Sequence, residues 1–319
     1  MSARTKIELP GTAGPRGWPE PGCRCASCNG LRADGIAFEP TRALVNGVPL
    51  ERLPRSQVPG GHDVRVPGGG RVLVADGPGA RPQPADGVTY DAVLLDLAGH
   101  PEHLGRLRHG GAVTSGTEVL AVHNDHRLAS PGELRRRLGW WARPRTGTHR
   151  TLLLGGSRSG KSAEAELRLL SHPHVTYVAT AAYVPGDAEW AARIEAHRVR
   201  RPRWWRTAET TDVPAVLRTG TGAVLVDSIG SWLTAVMDAT GAWEDPAAVR
   251  PHVDELVAAW RSTGACVVAV SDEVGLSPVP ATRAGRLFRD VLGDLNRRLA
   301  AESEETALVV AGRVLETFR

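Results

Sequence analysis

The hydrophobic pattern changes character near residue 150. Beyond that point apolar runs alternate with amphipathic stretches, as in a parallel sheet covered by helices. A leucine run at 151–155 (TLLLG) predicts a strand, and AEAELRLL at 163–170 predicts a helix. VTYVAT at 175–180 reads as a buried strand, and DAEWAARIEAHRVRR at 187–201 as a helix with capping acids at its start. AVLVD at 223–227 is an apolar strand ending in an acid. Two helices are expected around Trp232 and over 253–260, then a strand at 266–270, a long helix over 282–301 and a last strand at 307–311.

The first half lacks this rhythm. Residues 1–90 hold 27 of the 59 Gly and Pro residues, which leaves room for turns and short strands only. Short strands are predicted at 71–75 (RVLVA), 90–97 (YDAVLLDL) and 119–122, with a helix over 131–141. The expected organisation is a smaller α+β domain over 1–142, a linker over 143–150 and an α/β domain over 151–319.

Composition narrows the function. The formal charge is +4 and the arginines are dispersed, which speaks against a nucleic-acid or membrane-surface binder. No apolar stretch approaches the roughly 20 residues that span a bilayer. MSARTKIELPG lacks the apolar core of a signal peptide, so a cytoplasmic protein is expected. Three of the four cysteines crowd together, which suits a metal site better than a disulfide framework. Only two lysines occur, Lys6 and Lys161.

Lys161 stands in G-x-x-x-x-G-K-[ST], between the predicted strand and helix. Gly155, Gly156, Ser157, Arg158, Ser159, Gly160, Lys161 and Ser162 then form a phosphate-binding loop, whose backbone N–H groups and following helix N-terminus attract anions. Lys161 reaches the outer phosphates and Ser162 holds Mg²⁺; the alternative is a glycine-rich turn with a solvated lysine. Asp227, at the carboxyl end of a strand beside the loop, either holds Mg²⁺ or caps the helix beginning IGSWLTAVM. Its neighbour Ser228 can take the capping role instead.

The helix ending at Arg201 carries Arg193, His197 and Arg201 on one face, with Arg198 and Arg200 beside them and Pro202 stopping the run. A helical histidine is commonly an ordinary surface residue. Among guanidinium groups, however, an imidazole is kept neutral and nucleophilic while the arginines collect phosphates. Its attack on an α-phosphate gives a phosphoramidate and expels pyrophosphate.

In the first half, Cys23, Cys25 and Cys28 have C-x-C-x-x-C spacing. Three thiolates suit zinc, with His123, or else His126 of the same VHNDH, completing a tetrahedron; the alternative is three reduced thiols on a loop. Gly11-Thr12-Ala13, GCRCASC and the late strand followed by HxxH resemble the phosphodiesterase branch of the metallo-β-lactamase family that carries an accessory cysteine-bound zinc. The resemblance covers roughly residues 7–142. None of the eleven histidines stands in that family's H-x-H-x-D-H motif, so it implies a truncated, catalytically silent relative with a structural zinc. His62, His100, His103 and His109 read as surface or loop histidines.

The second half resembles a different family over 151–319. GGSRSGKS (155–162), YVAT (177–180), RIEAHRVRRPRWWRTAE (193–209), LVDSIGSWLT (225–234) and SDEVGLSPVP (271–280) follow the order and spacing of the bifunctional adenosylcobinamide kinase / adenosylcobinamide-phosphate guanylyltransferases of cobalamin biosynthesis. The resemblance implies a P-loop NTPase-like parallel sheet flanked by helices. It implies ATP or GTP on residues 155–162, a nucleotide site lined by Thr180, Ala181 and Ala182, and GMP carried on His197. Arg198, Val199, Arg200 and Arg201 would contact the nucleotide, and Glu209 and Asp227 would complete the site. It also implies Mg²⁺, the partners adenosylcobinamide and its phosphate, and a homotrimer. A kinase without guanylyl transfer, a nucleotide-binding regulator and a zinc hydrolase in the first half are the competing expectations.

Overall fold

The computed structural model describes residues 5–181, 195 and 199–316. Its contacts divide the chain into two compact units, Met1–Pro144 with Leu170–Pro173, and Arg145–Leu169 with His174–Arg319. Among the described residues no helix is long and apolar enough to cross a membrane.

The first unit is built from short strands, as its turn-rich composition requires. β1 (Ile7–Gly11), β2 (Arg42–Val45) and β3 (Val48–Pro49) form an antiparallel sheet in that order. A second sheet runs β4 (Arg55–Val58), β5 (Gly61–Val66), β6 (Gly70–Ala75), β7 (Ala92–Leu95) and β8 (Glu118–Ala121), antiparallel through β6 and parallel thereafter. β7 is buried along its whole length, as its unbroken AVLL predicts. The described helices are α1 (Ala26–Ala33), α2 (Pro101–His109) and α3 (Pro131–Trp141). β1 to β5, α1 and α2 were not expected from the pattern, because Gly and Pro interrupt every periodic run there.

A buried carboxylate organises the loops of this unit. Asp96 accepts from both terminal nitrogens of Arg127, at 2.9 and 3.1 Å, and from the backbone N–H groups of Gly79 and Gly99. With four donors satisfied, its burial costs little. His62 pairs with Asp76, His100 with Glu102, and His109 lies 3.0 Å from the Pro173 carbonyl. His103 corrects the surface expectation. It is 3% exposed, with Nε2 2.9 Å from the Pro82 carbonyl oxygen.

The second unit has a seven-stranded sheet. The strands are β9 (His149–Gly155), β10 (Val175–Ala179), β11 (Arg206–Glu209), β12 (Ala223–Asp227), β13 (Cys266–Asp272), β14 (Glu305–Val310) and β15 (Arg313–Glu316). Their order is β11-β10-β12-β13-β9-β14-β15, and every neighbouring pair is parallel except β14 with β15. β9 begins inside the expected linker, and β11 and β15 were not anticipated. The helices are α4 (Lys161–Leu169), α5 (Val213–Thr219), α6 (Ile229–Thr240), α7 (Arg250–Ser262) and α8 (Arg283–Ala301). Val224, Val226, Val267 and Ala269 of the central strands pack with Trp232, Met237, Leu256, Trp260 and Leu295 of the helices in one core. Ser228 caps α6 and Thr282 caps α8, each accepting from a backbone N–H three residues on. Most of the helix expected over 187–201 lies outside the described residues; Val199 and Arg200 are helical.

Burial makes the first unit acid-sensitive. Desolvation pushes the His103 and His172 imidazoles down to about 4, well below the ordinary value of 6.5. Unfolded, each takes a proton near 6.5; folded, each stays neutral to about 4. Stability is therefore lost as pH falls through that window, by on the order of 3 kcal/mol per histidine. Urea unfolding followed from pH 7 to 4.5 should show this loss, and His103→Gln should shrink it. A midpoint indifferent to pH across the window would contradict the assignment.

Candidate functional site

Parallel register gathers the site on one edge. Asp272 at the end of β13 pairs with Gly155 at the end of β9, and Asp227 at the end of β12 pairs with Val270. Ala179 of β10 faces Asp227 on one side and Glu209 on the other. The carboxyl ends of five adjacent strands thus form a single row, where open α/β sheets bind their ligands.

The loop from Gly155 to Lys161 has the backbone that its glycines permit. A Cβ on Gly155 would come within 2.6 Å of the Val309 carbonyl oxygen, so the loop packs directly on β14. Gly160 has φ +97, a conformation that side chains disfavour. Gly312, in the β14–β15 turn, donates its N–H to the Ser159 carbonyl at 2.8 Å and holds the loop from outside.

Lys161 opens α4 and is 8% exposed. Its ammonium donates to Asp272 Oδ1 at 2.7 Å and to the Gly156 carbonyl at 3.2 Å. The next residue, Ser162, donates its hydroxyl to Asp227 Oδ1 at 3.3 Å. Tyr177 donates its hydroxyl to Asp227 Oδ2 at 2.8 Å. Burial, reinforced by the Asp227 charge, raises the Tyr177 pKa and keeps it a proton donor. Over the Tyr177 ring lies the Arg201 guanidinium, 3.8 Å from the centroid, and Arg200 makes two hydrogen bonds to Glu166 of α4, at 3.0 and 3.2 Å. The arginine run is thereby tied to the helix that follows the phosphate loop. Beside it a cleft of about 530 Å³ is lined by Glu195, Val199, Arg201, Arg203, Trp205 and Thr207.

Two readings from sequence need adjustment. Asp227 was expected on a strand beside the phosphate loop, but β13 lies between β12 and β9. Asp227 still meets Ser162, because α4 carries that hydroxyl across β13. The acid on the adjacent strand is Asp272, which the sequence reading quoted within SDEVGLSPVP but gave no role of its own. Its signal was present: CVVAVSD, like AVLVD, is an apolar strand ending in an acid. Thr180 sits at the same edge, but its hydroxyl is used within the fold, donating to the Ser228 carbonyl at 2.7 Å and accepting from the Ser228 N–H at 2.9 Å. Ser228, not Asp227, caps α6. Glu209 ends β11 with an exposed side chain, and Ala181 follows the end of β10. Ala182, Arg193, His197 and Arg198 lie outside the described residues.

A second cluster stands in the first unit. Cys23, Cys25, Cys28 and His126 each offer a ligand atom within 4.8 Å of the others. Cys25 caps α1 by accepting from the Cys28 N–H, a bond that lowers its thiol pKa, while burial pushes Cys28 up to about 11. A thiol so placed becomes a thiolate only against a compensating cation. His126 Nδ1 lies 3.3 Å from Glu20, the outer partner that metal-binding imidazoles usually have. Three sulfurs and one nitrogen fit tetrahedral zinc. The imidazole in this cluster is that of His126 and not His123, whose ring is buried with Nε2 3.2 Å from the Ala75 carbonyl oxygen.

A phosphate loop whose lysine and serine each meet a strand-end carboxylate defines an α/β enzyme of the P-loop class, one that uses nucleoside triphosphates. The sequence model of the family described as cobinamide kinase / cobinamide phosphate guanyltransferase matches residues 151–317, just over half of the chain. The chain belongs to that family. It is 41% identical over 175 residues to the bifunctional adenosylcobalamin biosynthesis protein CobU of Salmonella typhimurium, an alignment covering 50% of this chain and 95% of that protein. The Escherichia coli protein of the same name is 37% identical with the same coverage. The bifunctional adenosylcobalamin biosynthesis protein CobP of Pseudomonas aeruginosa is 37% identical over 168 residues, 51% of this chain and 94% of that one. All of the matched family residues lie beyond residue 150.

Proposed function

We infer that the second unit carries both activities of its family. It phosphorylates the aminopropanol hydroxyl of adenosylcobinamide with ATP or GTP, then transfers GMP from GTP to the new phosphate to give adenosylcobinamide-GDP. The observation that carries this reading is the convergence of Lys161, Ser162, Asp227 and Asp272 on one phosphate loop, within the segment 151–317 that matches the family.

In the kinase step the loop N–H groups and Lys161 hold the phosphates and offset their charge while the alcohol attacks the γ-phosphorus. The O–P bond forms as the bond to the departing nucleoside diphosphate breaks. Ser162 and Asp227, with oxygens 3.3 Å apart, are the residues that would hold Mg²⁺, which would neutralise phosphate charge when bound. In the second step His197 attacks the α-phosphorus of GTP and pyrophosphate leaves. The corrinoid phosphate then displaces the imidazole from that phosphorus. Arg200 and Arg201, fixed on Glu166 and Tyr177, support a phosphate-collecting role for the run from Arg198 to Arg201. Thr180, Ala181, Ala182 and Glu209 would line the nucleotide site. The trimer and the cytoplasmic setting expected from the sequence belong to the same proposal.

The first unit is read as a degenerate metallo-β-lactamase-like domain that holds a structural zinc on Cys23, Cys25, Cys28 and His126. Support comes from the donor set itself and from the pairing of His126 with Glu20.

Incubation with adenosylcobinamide, Mg²⁺ and each triphosphate should yield the phosphate, and with GTP the GDP derivative. Lys161→Met should lower the rate of both steps by roughly a thousandfold, the scale of a lost charge stabiliser, and His197→Ala should stop at the phosphate. A parent that also stops there is a kinase only, and one that binds GTP without turnover is a regulator.

Metal analysis should find about one zinc per chain, lost in Cys28→Ser and in His126→Ala but kept in His123→Ala. Zinc retained without His126 would contradict the ligand set.

A further inference from the structure

We propose that Asp272 is a positioning residue that holds the Lys161 ammonium in the nucleotide-free site and yields it to the arriving phosphates, so that this carboxylate sets nucleotide affinity. The proposal rests on the nucleotide site inferred above and goes beyond it, because Asp272 belongs to no nucleotide-contacting motif read from the sequence.

The carboxylate is fixed from several sides. Register pairs Asp272 with Gly155, and the next residue, Glu273, donates its N–H to the Gly155 carbonyl at 3.2 Å. Asn296 of α8 donates its amide to the Asp272 carbonyl at 3.0 Å, while accepting the Ser271 hydroxyl at 2.6 Å. A Cβ on Gly230 would come within 2.8 Å of Asp272 Oδ2, so the first turn of α6 backs the carboxylate. Only Oδ1 is directed to Lys161, at 2.7 Å.

The two acids divide the work. Asp227 is engaged by Ser162 and Tyr177, whereas Asp272 is the carboxylate that meets the lysine. The Asp272 side chain is 39% exposed and that of Lys161 is 10% exposed, so solvent and ligand reach the pair from the carboxylate side. Phosphates entering the loop carry more negative charge than one carboxylate and win the ammonium. Asp272 is then left against the positive end of the α6 dipole and in contact with water, which makes the exchange inexpensive. Binding nevertheless loses the Lys161–Asp272 attraction. The apparent affinity falls by the fraction of molecules in which the lysine is free, roughly three- to tenfold for a pair of this exposure.

The test is GTP titration of the full chain in four forms: parent, Asp272→Asn, Lys161→Met and the double variant. Asp272→Asn should bind GTP roughly three- to tenfold more tightly, with KM falling in step, and Asp272→Glu should return the constant towards that of the parent. With Lys161→Met in place, the same Asp272→Asn change should alter the Kd by less than about twofold, since the effect acts through the lysine. Equal tightening in both backgrounds would mean simple repulsion of phosphate and overturn the proposal. Weaker binding by Asp272→Asn, with its thermal unfolding unchanged, would make Asp272 a nucleotide or metal ligand and also overturn it. Asp272→Ser gives a second removal of the charge should the amide variant fold poorly. A parent that binds no GTP contradicts the nucleotide site itself, and this proposal with it.

Discussion

The register between β9 and β13 is the constraint on which the second unit depends. Seven residue pairs run in parallel from His149–Cys266 to Gly155–Asp272, and both strands are almost wholly buried. Because a parallel ladder has no freedom to slip without turning apolar side chains away from the core, the ends of the two strands are fixed together. That alignment delivers an acid to the phosphate-loop lysine. Extended through β12, it delivers a second acid to the serine that follows. A nucleotide site is thus assembled from backbone geometry, with side chains only at the row of carboxyl ends.

Legibility in the sequence followed the range of the interactions involved. The phosphate loop was readable because its cause is local: glycines at 155 and 160 are required by a close approach to Val309 and by a positive φ. The central strands were readable because burial between layers leaves unbroken apolar runs, as in AVLVD and CVVAV. Strand order was not, since nothing along the chain says that β13 separates β12 from β9. For that reason Asp227 was given a role and Asp272, quoted only as part of SDEVGLSPVP, was not. The same limit explains the histidines of VHNDH. Their spacing cannot say which ring turns towards the cysteines, and the structure sends His126 there and His123 to the Ala75 carbonyl. In the first unit short strands between Gly and Pro leave no periodic signal, and His103 looked like a loop residue until α2 enclosed it.

The two units meet the demands of folding differently. Among its described residues the second has a large apolar core between strands and helices. The first has smaller apolar clusters among its described residues, and directs several polar groups inward onto partners: Asp96 with Arg127 and two backbone N–H groups, His103 with the Pro82 carbonyl. Buried polar groups of this kind specify one arrangement of loops at the expense of sensitivity to protonation. Three thiols and the His126 imidazole are gathered at the start of α1 in the same way, around a Cys28 whose burial resists ionisation.

The central claim is that one phosphate loop serves both a phosphoryl and a guanylyl transfer, the second through His197. The most direct measurement is incubation of the chain with Mg²⁺ and GTP radiolabelled at its α-phosphate, followed by peptide mapping of the label. The account predicts a label that is lost in acid, survives base, lies in the peptide containing His197 and is absent from His197→Ala. Label at another residue, or none on a parent that binds GTP, would contradict it.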